Sequence, residues 1–426
     1  MTPLARLAQL LLLFGCGSAA AAETLDDAWR TALSDSHRLR AVVEQQRAAA
    51  EGVAQAEAAR LPQLTLSANY MRLDNPPTIQ GRFAGQDFRF AYWERSALYY
   101  SAWSMLPLYT SGRIPAAIAA ARAGESAAER DTDTETQDLK MAVAAAVVDV
   151  LRAEHGIELA LSHQDRLEQQ RRDAGNLKRQ GLVANTDVLA AEVALADARQ
   201  QVTAARNRRD LASAAYNRLL ARPLAQPVAL AEPEASSDGR DLALLTAAAL
   251  AQRPELAALR ARIAALTHRA ESVRDAVRPQ VALHGGYGYQ ENAKQVSESV
   301  WAANLGVVWQ VFDGGANRHE SADLSHQAAA LQAQLDDLET LIELQVRQSW
   351  LACSASTERL TAAAAAVAQG DANLTATGNL YREGLVNHAQ VLDAETLRMQ
   401  ARTNRLDASY ERILAGLQLR RALGTL

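Results

Sequence analysis

The segment Arg179-Gln-Gly-Leu-Val-Ala-Asn-Thr-Asp-Val-Leu-Ala-Ala-Glu192 returns 203 residues later as Arg382-Glu-Gly-Leu-Val-Asn-His-Ala-Gln-Val-Leu-Asp-Ala-Glu395, with eight of fourteen positions identical. The same offset pairs Tyr109 with Phe312 and Gly112 with Gly315. Upstream, Leu61-Pro-Gln-Leu-Thr-Leu66 matches Arg278-Pro-Gln-Val-Ala-Leu283 at an offset of 217. The chain is therefore one plan built twice, and any fold must satisfy both copies. The first copy is about fourteen residues longer, all between Pro62 and Tyr109, which predicts a variable loop there.

Proline placement sets the next constraint. All eleven prolines lie outside the windows 116–222 and 280–426, and a helix interior rejects proline because it lacks an N–H and clashes with the preceding turn. Both windows are rich in Ala, Leu, Glu, Gln and Arg, the strong helix formers. They predict single long helices at 113–180 and 315–383, with Pro115 tolerated in the first turn. At 1.5 Å per residue each would run about 100 Å, so each needs a lateral partner along its length. Shorter helices at 24–61, 186–221 and 387–424 fit as stacked half-length partners.

A seam for such partners is present. Val188, Leu195 and Val202 recur every seven residues, and Ala191, Ala198, Ala205 and Ala212 form a second column three positions on. In the second copy Ala394, Ala401, Ala408, Ala415 and Ala422 repeat that column. Alternating steps of three and four make a coiled-coil seam, and alanine there lets backbones approach closely. Between the partners lies Gly-Leu-Val. Gly181 and Gly384 suit the left-handed position that ends a helix. Asn185 or Thr186, and Asn387, can cap the helix that follows, Asn387 and Gln390 having capping-box spacing.

Aromatic residues are segregated. Of 21, fifteen fall in 63–112 and 280–312. Gln63 to Tyr70 alternates polar and apolar, and Gln280 to Tyr287 does so less cleanly. This is the pattern of an outer-membrane strand, with lipid on one face and water on the other. Return strands are expected at 96–109 and 300–312, giving two β-hairpins, 63–109 and 280–312. Tyr70, Tyr99, Trp103, Tyr287, Trp301 and Trp309 are expected at the membrane interfaces. Four strands cannot close a barrel, for which about eight are the practical minimum, and open edges cannot face lipid. Several chains must pool their strands.

The N-terminus carries Arg6, an apolar Leu10–Phe14 core and small residues Ala19–Ala22 before Glu23, the three regions of a secretory signal peptide cleaved after Ala22. Leu13-Phe14-Gly15-Cys16 loosely resembles a lipobox, so lipidation at Cys16 is the alternative. Cleavage leaves Cys353 as the one cysteine and no intrachain disulfide. The organisation expected is signal peptide 1–22, first repeat 23–221, linker 222–240 marked by Pro223, Pro227, Pro233 and Gly239, and second repeat 241–426.

These residues resemble the TolC family of outer-membrane efflux proteins, from Thr24-Leu-Asp-Asp-Ala-Trp29 to Ala422-Leu-Gly-Thr-Leu426. The doubled Gly-Leu-Val turn, the Pro-Gln pairs before the strands and Phe312-Asp-Gly-Gly315 after them carry the likeness in combination. The resemblance implies a mainly α fold with transmembrane β, internally duplicated, with long antiparallel helical coiled coils and four strands per chain in a shared trimeric 12-stranded barrel. It implies a homotrimer in the outer membrane, in contact with its lipid and with the helical part in the periplasm. It also implies a periplasmic adaptor (membrane fusion) protein at the turns and an inner-membrane pump of RND, ABC or MFS type. Adaptor contacts then fall on Gly181, Leu182, Val183, Gly384, Leu385 and Val386. Tyr381, Thr186 and Asp187 match positions that tie the closed state together. Val386 stands where a basic partner for Asp187 is found in the best-known member, so the latch must differ. Asp393 matches one position of an acidic pore ring, and Gln390 replaces the other.

Reactive chemistry is not legible. The net charge of −5 and the lack of a basic block exclude a nucleic-acid partner. His319-Glu320 is not followed by a metal-pairing histidine, Asp313-Gly314-Gly315 lacks the Lys-Ser/Thr of a phosphate loop, and no Gly-x-Ser-x-Gly occurs. No enzyme, cofactor or metal site is expected. The expected function is a passive exit duct for efflux or type I secretion. A periplasmic coiled-coil adaptor or scaffold is the alternative; a diffusion porin would need more strands and no long helices.

Overall fold

The computed structural model describes residues 22–235 and 240–426. Apart from Ala22, the predicted signal peptide with Cys16 lies outside them, as do 236–239 of the predicted linker. In chain order the elements are α1 (Leu25–Asp35), α2 (His37–Ala58), β1 (Gln63–Arg72), β2 (Thr78–Phe83), β3 (Gln86–Ala91), β4 (Ser96–Tyr109), α3 (Arg113–Arg179) and α4 (Asn185–Leu219). The second copy repeats the plan with α5 (Leu242–Gln252), α6 (Pro254–Asp275), β5 (Gln280–Gln290), β6 (Ser299–Val308), α7 (Ala316–Arg382) and α8 (His388–Ala422). The two predicted long helices are α3 and α7, uninterrupted and 67 residues each.

Two compact units arise. One holds the chain up to Val43, Thr132–Pro254 and Leu338–Leu426; the other holds Glu44–Asp131 and Glu255–Asp337.

The second unit carries the strands. β1, β4, β5 and β6 form one antiparallel sheet in the order β1-β4-β5-β6. The two copies thus meet at β4–β5, and β1 and β6 are left as edges. Successive side chains alternate sides, and the register sorts them. Leu64, Leu66 and Tyr70 share a face with Leu98 and Tyr100 of β4, Leu283, Tyr287 and Tyr289 of β5, and Trp301, Leu305 and Val307 of β6. Gln63, Thr65, Ser67 and Asn69 share the other face with Ser101, His284 and Asn304, and there Ser67 Oγ lies 2.7 Å from Ser101 Oγ. One side is mainly apolar; the other carries most of the polar side chains.

The expected aromatic belt needs correction. Tyr99 and Trp103 pair with Asn69 and Thr65, so they lie on the polar face. Trp103 lies across Gly286, where a Cβ would come within 2.8 Å of its ring. Tyr100 and Tyr289 take their place, stacked with centroids 5.9 Å apart beside the Tyr287–Trp301 pair at 5.1 Å. Two adjacent tyrosines, Tyr99 and Tyr100, must point to opposite sides, and only the register decides which is which. Tyr70, Tyr287 and Trp301 keep their place, and Trp309 is exposed just beyond β6.

The insertion in the first copy is not plain loop. It holds a separate hairpin, β2–β3, turned by Ala84 and Gly85 at positive φ. The predicted helix 24–61 is two helices, because Ser36 leaves helical geometry at ψ 122 and caps α1.

The first unit packs around Val143, Val147, Val150 and Leu151 of α3, Ala28 and Ala32 of α1, Tyr216 of α4 and Leu220, which caps α4. The described part of the linker is folded back onto the chain start. Leu230 pairs with Glu23, and the Glu23 carboxylate accepts from Arg222 at 2.8 Å and Tyr216 at 2.9 Å. The alanine columns are the seam: Ala191, Ala198 and Ala205 of α4 and Ala394, Ala401, Ala408, Ala415 and Ala422 of α8 are all buried. No single helix among the described residues is long and apolar enough to cross a membrane.

Candidate functional site at the helix turns

Both Gly-Leu-Val turns are built from one backbone device. Gly181 and Gly384 have φ of +75° and +74°, a region where a side chain is strained. The N–H of Leu182 donates to Leu177 O at 3.0 Å and that of Gly181 to Lys178 O at 2.9 Å. In the second turn Leu385 donates to Leu380 O and Gly384 to Tyr381 O, each at 3.0 Å. This doubly bonded ending satisfies orphan carbonyls and leaves the residue after glycine projecting. Leu182 and Leu385 are accordingly 67% and 68% exposed.

The restart of the helix differs between copies. Asn387 caps α8, its side chain accepting from Gln390 N–H at 3.1 Å. The first copy departs from expectation: Ala184 is the N-cap of α4 and makes no side-chain bond, and Asn185, already inside the helix, accepts from Lys178 instead. With Gly-Leu-Val-Ala against Gly-Leu-Val-Asn, the capping position falls on Ala184, one residue before the asparagine.

The residues expected at a gate divide by burial. Asp393, Gln390 and Thr186 are exposed, and Asp187 and Tyr381 half-buried. The Tyr381 hydroxyl is enclosed without a hydrogen-bond partner, and burial pushes its acidity down, with Asp187 and Asp173 adding to the effect. Its ring lies 5.2 Å from that of His388. His388 is 2% exposed, neither ring nitrogen has a hydrogen-bond partner, and burial holds its pKa below the usual histidine value against the pull of Asp187. A groove of about 560 Å³ opens here, lined by Asp173, Asn176, Tyr381, His388 and Glu395 among others.

Two turns further along α8 is a cluster that the sequence reading did not single out. Glu395 is 1% exposed and Arg398 3%. Arg398 donates to Glu395 at 3.1 Å and to Asp371 of α7, and Arg402 donates to Asp371 at 3.1 Å. His163 Nδ1 of α3 lies 3.3 Å from Glu395. The network therefore ties α8 to both long helices. Burial would raise the Asp371 pKa, but its bonds to Arg398 and Arg402 outweigh that and hold it below the usual range. A signal was available: Arg398 sits in the seam column at the place of Leu195 in the first copy, where a charge is out of pattern. Gly370 makes the room, since a Cβ there would stand 3.2 Å from the Arg398 Cα.

A sheet with one lipid-suited face, two free edges and helices far longer than a globular core requires defines a channel subunit of the outer membrane. A family model described as outer membrane efflux protein matches residues 28–222 and 245–425, and the chain belongs to that family, whose members are transport ducts. Outer membrane protein TolC of Vibrio cholerae is 28% identical over 440 residues, covering 96% of this chain and 92% of that protein. Alkaline protease secretion protein AprF of Pseudomonas aeruginosa is 26% identical, over 69% of this chain and 63% of its own. The solved structure of the outer membrane protein VceC of Vibrio cholerae superposes with a TM-score of 0.80 at 19% identity, covering 94% of this chain and 96% of VceC. The protein is an outer-membrane exit duct of an efflux or secretion system.

Proposed function

We propose that three copies close one 12-stranded barrel from three four-stranded sheets, and that the joined protein is a passive conduit with no catalytic step of its own. The single observation that carries this is the sheet with unpaired edges β1 and β6 and a continuous apolar face. Unpaired N–H and C=O groups find no partner in hydrocarbon, so each β1 must meet a β6 of another copy. Strands of 10 to 14 residues are long enough to cross the outer membrane when tilted. The purified protein, run unheated in detergent, is expected as a resistant oligomer with β signal that collapses to one chain on boiling. A monomer soluble without detergent would overturn the reading.

The tips Gly181, Leu182, Val183 and Gly384, Leu385, Val386, exposed at the glycines and leucines and half-buried at the valines, suit a periplasmic adaptor, with an inner-membrane pump of RND, ABC or MFS type supplying energy. In the closed state Asp393 lines the constriction with Gln390, and Tyr381, Thr186 and Asp187 hold the tip. With Val386 in place of a basic residue, the Glu395–Arg398–Asp371 network supplies the missing tie. Asp393→Ala is expected to weaken block by divalent cations in single-channel recording, and unchanged block would move the constriction elsewhere.

A further inference from the structure

The β2–β3 hairpin is two-faced. Its register places Ile79 opposite Phe90 and Gly81 opposite Phe88, with Phe83 at the end of the same face, while Gln80, Arg82, Asp87 and Arg89 occupy the other. Phe88 and Phe90 stack at 6.0 Å. The Phe88 ring lies over Gly81, where a Cβ would come within 2.9 Å. The apolar face is nonetheless uncovered within the chain: Phe83 is 78% exposed, and Ile79, Phe88 and Phe90 are exposed too. A two-stranded hairpin paired only with itself is marginal in water unless a face is packed.

Lipid does not suit this face. The hairpin lies past the Tyr70–Tyr100–Tyr289 end of the apolar sheet face, which marks an interface with water. A neck separates them, residues 73–77 on one side and 92–95 on the other, in which Asp74, Asn75, Glu94 and Arg95 are polar and Tyr92 and Trp93 aromatic. The neck is held in place: Asn292, fully buried, donates to Tyr92 O, and Lys294 donates to Trp93 O. The hairpin also grows from β1, the edge strand that must meet another copy. Cyclic symmetry then brings identical hairpins together at high local concentration.

We infer that the apolar face formed by Ile79, Phe83, Phe88 and Phe90 packs against the same face of the neighbouring copies, forming a plug over the outward mouth of the barrel that cargo must part. This rests on the shared-barrel reading, and one experiment separates the two. Phe83→Cys is placed in a Cys353→Ser chain, with Cys353→Ser alone as control, and cells are treated with a mild oxidant. The unheated gel reports the oligomer; the boiled, non-reduced gel reports the cross-link. The expected result is an oligomer plus a disulfide-linked dimer holding up to about two thirds of the chains, since one disulfide joins two of three copies. An intact oligomer without the dimer overturns the plug alone, and loss of the oligomer in the control overturns both readings. Bimane attached at the Phe83→Cys thiol and quenched by brominated phospholipid vesicles would likewise overturn the plug in favour of lipid.

Discussion

The two copies of the repeat solve the same packing problem with opposite chemistry. At the seam of the first, Leu167 of α3 meets Leu195 and Ala198 of α4 in a buried apolar cluster. The corresponding positions of the second, 203 residues on, are Gly370, Arg398 and Ala401. There glycine clears the space that leucine fills in the first copy, and the buried guanidinium ties Asp371 to Glu395. The next equivalence repeats the contrast: Glu192 is exposed, whereas Glu395 is buried against His163. An apolar seam tolerates small changes of register better, because burial is non-directional. A buried ionic seam holds only while its partners are in register, and breaking it strands a charge. The first suits a fixed wall, and the second suits a part that opens as a unit.

That contrast can be broken in order of expected effect. Arg398→Ala strands the buried Glu395 carboxylate and is expected to cost about 3–5 kcal/mol, read as a lower melting temperature of the oligomer and a leaky channel. Leu195→Ala in the first seam is expected to cost about 3 kcal/mol by cavity formation while leaving closed-state conductance unchanged. Equal leakiness of the two variants would erase the distinction. Replacing Glu395 and Arg398 together by leucine should be nearly neutral in melting temperature yet still raise the open probability, which separates a latch from a mere packing element. Gly370→Ala pushes a methyl against the Arg398 backbone and is expected to cost about 1–2 kcal/mol.

The smallest effects are pH effects, and their windows differ. His388 has its pKa lowered in the folded tip, so this packing is favoured when the ring is neutral. As pH falls below the ordinary value of 6.5, a form with the ring exposed takes up the proton more readily. Asp187, Asp173 and Tyr381 face this region, and Glu395 shares its groove. Open probability is expected to rise between about pH 6.5 and 5, and His388→Phe should abolish the rise. Asp371 has its pKa lowered from 3.8, so its contribution is full above that value and lost as pH falls through the folded pKa. A second loosening below about pH 4, absent in Asp371→Asn, would place the ionic seam in the same gate.

The sequence by itself determined the helices, the turns and the need for partner chains. Uninterrupted helix over 113–179 and 316–382 followed from where proline is not, and the glycine turns followed from a requirement that only glycine meets cheaply. These are local rules, decided by each residue's own backbone. Only the tertiary structure decided the parity of Tyr99 against Tyr100, since a one-residue shift reverses every side chain and β4 is aromatic on both sides. It alone turned the insertion into a two-faced hairpin, folded the linker back onto Glu23 and buried His388, Glu395 and Arg398. Outside the seam column that marks Arg398, a titratable residue on a helix reads alike whether it faces water or a neighbouring helix. Its role is fixed by the desolvation and pairing that the neighbour imposes, and those come from other helices, 27 positions away for Asp371 against Arg398 and 232 for His163 against Glu395.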